Sequence, residues 1–383
     1  MILEYSTHLS RKKMLTSIYT KSYIQKSARL QAIASKIMQQ NLRMKLHEWA
    51  TTHEVVNVFT QSKSCLMDLT SAWLFGLSQG TNFLRHQDDA EIFYRDFKDS
   101  SRGFFWRSET PRLTTVLTWF GLHLVPMEAK RKRLLVEEWC EGMCGKALEK
   151  SRDMKKDGME SEEKGDSNGI QADDVDYPLV YSHLREKLEH SSPPQPNIDQ
   201  CLRLEMLDHL IAGHEGSGFT MTYILYEISL HPAIQKSLRE ELRSLPSEST
   251  TAHALNTLPL LNSIVLESMR VHPTAPGPWP RRSPTSTVLR RPGFPDLPIP
   301  KGTTFSASAY TLHKNEAVFP EPMEWRPERW MQVNEEQRRE MDRWWWGFGS
   351  GSWICPGRHF ALFSKFLVSF YCKMKKQCER LTG

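Results

Sequence analysis

Between residues 9 and 150, apolar side chains return every three to four positions, the spacing of helices that bury one face. Residues 24–49 keep this spacing throughout and read as one amphipathic helical stretch. Residues 151–176 interrupt the pattern with a charged, apolar-poor segment that predicts a mobile surface loop. Helical spacing resumes over 181–189 and, after a proline-rich break, over 198–230, 233–243 and 260–270. Past His272-Pro273, prolines and glycines punctuate short strand-like pieces as far as Tyr310. A coil rich in tryptophan, arginine and proline follows, so residues 277–340 read as a small β-lobe with its trailing coil. No internal repeat is visible. The prediction is a mainly α fold with a small β-lobe, in a single domain over residues 1–383.

Composition narrows the function classes. With 39% hydrophobic and 25% charged residues, the 383-residue chain has the make-up of an ordinary soluble globular protein with a large core. A net charge of +5 is too mild to argue for nucleic acid, and the basic cluster at 128–133 reads as a solvated face. Seven scattered cysteines suggest no disulfide framework and fit a reducing compartment. Cys140 and Cys144, one helical turn apart, read as packing residues. No apolar run is long enough to span a bilayer, so membrane contact would be peripheral. Residues 113–125 read either as an interfacial patch making that contact or as a buried helix.

The segment most suggestive of chemistry is residues 346–361, where Phe348-Gly349-Ser350-Gly351-Ser352-Trp353-Ile354 leads to Cys355-Pro356-Gly357 and an apolar helical run. Glycines allow close backbone approach to a flat ligand. The start of a helix favours an anionic sulfur. Pro356 gives up an N–H in a first turn, where that donor would have no partner. This loop resembles the cysteine-ligand loop of the cytochrome P-450 family, F-G-x-G-x-R-x-C-x-G. Phe348, Gly349, Gly351, Cys355 and Gly357 match it, and Trp353 stands where the family has arginine. The resemblance implies that Cys355 is the thiolate ligand of haem b (iron protoporphyrin), with Phe348, Gly349 and Gly357 shaping the cofactor site.

Three further segments resemble family motifs in the family's order. Glu267-Ser268-Met269-Arg270 resembles E-x-x-R, a carboxylate and a guanidinium on one helix face, and Arg329 in Trp325-Arg326-Pro327-Glu328-Arg329-Trp330 sits where the family completes a structural triad. Ala212-Gly213-His214-Glu215-Gly216-Ser217 resembles A-G-x-[D/E]-T-T, which implies Glu215 as a distal proton-relay acid. Gly216 replaces the usual threonine. Ser217 lies about 100° further round an ideal helix, so it reaches that place only if the glycines distort the helix; a water or substrate hydroxyl are the other candidates. For the haem propionates, the resemblance offers His8 and Lys12, in a variant of W-x-x-x-R, and Arg281.

Together these imply the cytochrome P-450 helical prism, acting as a haem-thiolate monooxygenase on a lipophilic substrate. Pro300-Lys301-Gly302-Thr303-Thr304 and Tyr310 to His313 look like the fungal secondary-metabolism branch. Electrons would come from NADPH through a separate flavoprotein reductase, and Lys373, Lys375 and Lys376 are candidates to meet an acidic donor. By family, the site of action is the cytoplasmic face of the endoplasmic reticulum; with no anchor in the chain, the expectation is peripheral or cytoplasmic. The pattern starts near His8, and only 28 residues follow Cys355, so the chain reads as short at both ends. Two alternatives stay open: a haem enzyme using peroxide or catalysing isomerisation or dehydration, and an inactive truncated member.

Overall fold

The computed structural model describes residues 5–156, 175–192, 195–245, 252–290 and 293–363. Helices dominate. They run in order α1 Tyr5–Thr16, α2 Lys21–Lys26, α3 Ala28–Lys36, α4 Arg43–Thr52, α5 Val58–Phe75, α6 Gln87–Ser100, α7 Phe104–Ser108, α8 Pro111–Trp119, α9 Met127–Lys156, α10 Leu179–Glu189 and α11 Ile198–Leu230. After them come α12 Pro232–Arg243, α13 Ala252–Asn256, α14 Pro259–Val271, strands β1 Pro278–Arg282, β2 Thr287–Leu289, β3 Leu297–Ile299 and β4 Thr304–Ser308, then α15 Ala309–His313, α16 Glu335–Trp344 and α17 Arg358–Phe363. The mainly α expectation with a small β-lobe holds.

The chain divides into two compact units. The first comprises residues 1–222, 245–255 and 356–383. Its core is built on α5, where every residue from Ser62 to Phe75 is buried, and Asn57 caps the helix by accepting from the Thr60 amide. Asp68 on α5 is fully buried and accepts hydrogen bonds from the Thr81 hydroxyl and the Phe83 and Leu84 amides, which pins the turn leading into α6. Phe360 of α17 packs on Tyr19 and Trp73. The predicted helix over 24–49 is not one rod. Ser27 has extended backbone, and its hydroxyl accepts from the Leu30 amide, so it caps α3 and ends α2. Residues 37–42 then widen into a π-helical turn before α4.

The second unit comprises residues 223–244 and 256–355. Within it the Glu241 carboxylate accepts from the Leu260 and Leu261 amides, capping the start of α14 behind Pro259. The β-lobe is two antiparallel ribbons, β1 with β4 and β2 with β3. The coil expected before the cysteine loop contains α16, a helix polar over most of its surface whose start is a capping box between Asn334 and Gln337. The loop expected over 151–176 begins as the last turns of α9, and residues 157–174 lie outside the described residues. Among the described residues no helix is long and apolar enough to cross a membrane. The segment 113–125 is not a buried helix: α8 has no buried residue, and Trp119 is 84% exposed.

Candidate functional site

The Cys355 loop is shaped by backbone that only glycine adopts easily. Gly349 and Gly351 have φ of +78° and +66°. At Gly349 a Cβ would also stand 3.1 Å from the Trp279 ring. The Gly349 amide donates to the Trp346 carbonyl at 3.0 Å, the Ile354 amide to Gly351 at 3.1 Å, and the Cys355 amide to the Phe348 carbonyl at 2.8 Å. The loop is thus closed on itself, with Cys355 half-buried at its end. Phe348 meets Trp345 edge-on at 5.9 Å, and the Trp345 indole N–H donates to the Leu266 carbonyl on α14. In the first unit, the Gly357 carbonyl accepts from the Ala361 amide and starts the α17 turn.

Trp353 offers no positive charge, yet a cation is present. The Arg281 guanidinium carbon, from β1, lies 5.1 Å from the centroid of the Trp353 ring. A guanidinium from a strand thus lies over the ring of the residue that stands in the arginine's place. Lys12, half-buried on α1, belongs to the first unit, and the His8 side chain lies outside the described residues, as do Lys373, Lys375 and Lys376.

Beneath the loop in the same unit, Glu267, Arg270 and Arg329 come together. Glu267 and Arg270 are fully buried and Arg329 nearly so. Arg270 grips the carboxylate through two bonds of 2.9 Å, and Arg329 Nε adds a third of 2.9 Å. The Trp330 indole and the Arg326 amide also donate to it at 2.9 Å. Burial alone would raise the Glu267 pKa, but the Arg270 and Arg329 charges outweigh it and hold the carboxyl below its usual range. The second guanidinium charge is spread over carbonyls: Arg270 donates to His313, Pro322 and Glu324, and Arg329 to Pro320 and Glu321. His313 is fully buried; its Nδ1 faces the Arg270 carbonyl at 3.1 Å and its Nε2 accepts from the Trp346 amide at 2.8 Å. It therefore ties the triad to the residue that begins the cysteine loop. Sequence reading noticed His313 only as part of a branch-like segment and missed Trp330, although Trp330 directly follows Arg329.

Glu215 sits on α11 in the first unit. α11 is regular α-helix through residues 213–218, so the distortion that would carry Ser217 to the Gly216 position is absent. The glycines serve packing instead. A Cβ on Gly213 would stand 2.5 Å from Thr70, and one on Gly218 2.7 Å from Lys63 Cγ, so both let α5 approach α11. At Gly216 a Cβ would meet no atom of the described residues within 4 Å, so packing does not require this glycine. Glu215 pairs with Lys63 of α5 and lies 3.3 Å from His214 Nε2. Lys63 was not foreseen; it stands among Thr60, Gln61, Ser62 and Ser64, so nothing local marks it.

A family model described as Cytochrome P450 matches residues 2–369. The chain belongs to that family. Cytochrome P450 monooxygenase avaI of Aspergillus versicolor is 24% identical, over 95% of this chain and 80% of its own length. Cytochrome P450 monooxygenase FGM1 of Gibberella zeae is 23% identical, over 97% of this chain and 69% of its own length. Cytochrome P450 monooxygenase BOT1 of Botryotinia fuckeliana is 24% identical, over 96% and 66%. Membership makes this cytochrome P450 a haem-thiolate oxidoreductase of the monooxygenase class. Its residues fit haem b. Among the described residues no group of three His, Cys, Asp or Glu side chains is placed to hold a metal ion. A half-buried thiol on a glycine-closed loop with a stacked guanidinium matches an axial ligand and a propionate partner.

Proposed function

We propose that this cytochrome P450 inserts one oxygen atom from dioxygen into a small lipophilic substrate of fungal secondary metabolism. Electrons come from NADPH through a separate flavoprotein reductase. When bound, haem b supplies the activation of dioxygen and the attack on the C–H bond. The protein's own residues supply the rest: Cys355 the thiolate, Arg281 a propionate cation, the Glu267 triad the rigid floor of the loop, and Glu215 a carboxylate on the route by which protons arrive. The observation that supports this reading most is the loop closed by the Cys355 amide on Phe348, which holds the backbone that carries the sulfur. Its test is the spectrum of the reduced, carbon-monoxide-bound protein. The wild type should show the red-shifted Soret band of thiolate ligation and Cys355→Ser should lose it; a band unchanged by the substitution would end the proposal.

Gly216 favours a second reading. With no hydroxyl there and a regular helix around it, the protein suits haem chemistry that needs less proton delivery, such as peroxide use, isomerisation or dehydration. Product formation that ignores dioxygen and reductase would select it. Location is part of the proposal. α7, α8 and the turn after them expose Phe104, Phe105, Val116, Trp119, Phe120 and Leu122, and we assign this aromatic face to peripheral contact with the cytoplasmic leaflet of the endoplasmic reticulum.

A further inference from the structure

Lys63 is a charged group in a place that disfavours charge. It lies in the wholly buried part of α5, with its side chain only 10% exposed. An ammonium there is costly unless it is paired. Its Nζ lies 4.4 Å from the centre of the Tyr94 ring on α6 and 5.1 Å from that of Phe59, and its counter-charge is Glu215 on α11. The backbone makes room for the arrangement: Gly218 leaves open the space where a Cβ would strike the lysine stem at 2.7 Å. On the other side of the carboxylate, His214 is fully buried among Phe93, Tyr94 and Phe97. Its Nδ1 lies 2.6 Å from the Leu210 carbonyl and its Nε2 3.3 Å from Glu215. The groups that face Glu215 are therefore Lys63 on α5, His214 on its own helix and the neutral phenol of Tyr94 on α6; Asp68 and Cys65 of α5 act on that phenol in turn.

A carboxyl group works as a general acid only while it carries a proton. Burial would raise the Glu215 pKa, but His214 and the Lys63 charge overcome it and bring the group down to about 2. At neutral pH the carboxylate is then ionised and faces the lysine as its counter-charge. We propose that Lys63 is the positioning residue of the proton route: it fixes the charge and direction of Glu215, so that the two side chains act as one ion pair whose ammonium holds the proton. The inference rests on the reading of Glu215 as the distal acid. It also gives the chain a replacement for the acid–alcohol couple that Gly216 breaks, since the donor to the carboxylate comes from α5 instead of the next residue of α11.

The test uses the haem-loaded full chain with Lys63→Met, Lys63→Arg and Glu215→Gln. The first readout is the infrared carboxyl titration, taken as the difference between each protein and its Glu215→Gln counterpart. The second is the share of reducing equivalents lost as peroxide, as a function of pH. Lys63→Met should raise the titration midpoint of Glu215 by about two units or more and move the pH profile of peroxide loss with it, while Lys63→Arg should stay near the wild type. A carboxyl that titrates as in the wild type without the lysine, in a protein where Glu215→Gln still increases peroxide loss, overturns the role of Lys63 and leaves the acid reading intact. Peroxide loss unchanged by Glu215→Gln overturns the acid reading and this inference together. If Lys63→Met does not accumulate as folded haem protein, Lys63→Gln carries the same infrared comparison.

Discussion

Replacing Glu267 by glutamine changes one atom and should be among the most damaging single changes in the second unit. Oε1 accepts from Arg270 Nη2, Arg329 Nε and the Arg326 amide, and Oε2 from Arg270 Nε and the Trp330 indole. Whichever oxygen becomes an amide nitrogen, at least two buried donors lose their acceptor, at about 1–3 kcal/mol each. Two guanidinium groups also lose their shared counter-charge, and one-sided disruption of a buried pair costs about 3–5 kcal/mol in all. At about 2 °C per kcal/mol for a chain of this size, the expected fall in Tm is about 6–10 °C. The control is Glu340→Gln, which removes an exposed partner 3.7 Å from Arg343 and should cost at most about 0.5 kcal/mol. Thermal unfolding by circular dichroism and the haem-to-protein ratio are measured on both. The sign with pH is fixed: the Glu267 pKa is depressed in the folded state, so its contribution is complete above the ordinary carboxylate range of about 4.3 and is lost as pH falls through the lower folded value. Equal Tm shifts for the two variants near neutral pH would refute the reasoning, because the buried knot would then be worth no more than a surface pair.

Other outcomes follow from the same geometry. Arg281→Ala should speed haem loss to an acceptor globin, and Trp353→Arg should restore retention in that background while gaining less in the parent, where two guanidinium groups would meet; identical loss in all four proteins argues against the propionate role. Burial and the Arg270 and Lys314 charges push His313 from its usual 6.5 down to about 4, so stability should fall as pH drops between those values and level off below. Thermal unfolding of His313→Phe should show a flatter profile there, and an unchanged slope would refute the assignment. Trp119→Ser and Phe120→Ser should each weaken binding to anionic lipid vesicles by about tenfold or more, the worth of one large apolar side chain, and unaltered sedimentation with vesicles would rule out the membrane face.

Much of the frame was legible because punctuation marks it. α11 has the predicted bounds, and α12 and α14 begin one residue earlier than expected, at Pro232 and Pro259, where proline suits a first turn. Ser27 shows the limit: only its side-chain bond to the Leu30 amide says that it ends one helix and caps another. α16 escaped because Glu335–Trp344 has almost no apolar stripe, although Asn334 and Gln337 spelled out its cap. Gly213 and Gly218 were read as loosening α11, yet they are the residues that let α5 come close. A glycine in a helix costs stability either way, and only the neighbour's position says what that cost secures. Lys63 was beyond reach, since nothing local pairs it with a glutamate on another helix.

The two departures from the family's motifs have the same kind of answer. Trp353 removes a cation from the cysteine loop, and Arg281 on β1 puts one back over its ring. Gly216 removes a hydroxyl beside Glu215, and Lys63 on α5 places a proton-bearing group against that carboxylate. In each unit a motif position lacks its polar group, and a charged residue distant in the chain lies close by. Arg281 lies on an aromatic face, and Lys63 is enclosed by Tyr94, Phe59 and the bare backbone of Gly218. Motif matching counts both positions as losses. On the proposals made above, Arg281 keeps a cation at the cysteine loop and Lys63 keeps a proton donor beside Glu215, and the variants at these two residues decide whether those functions are carried there.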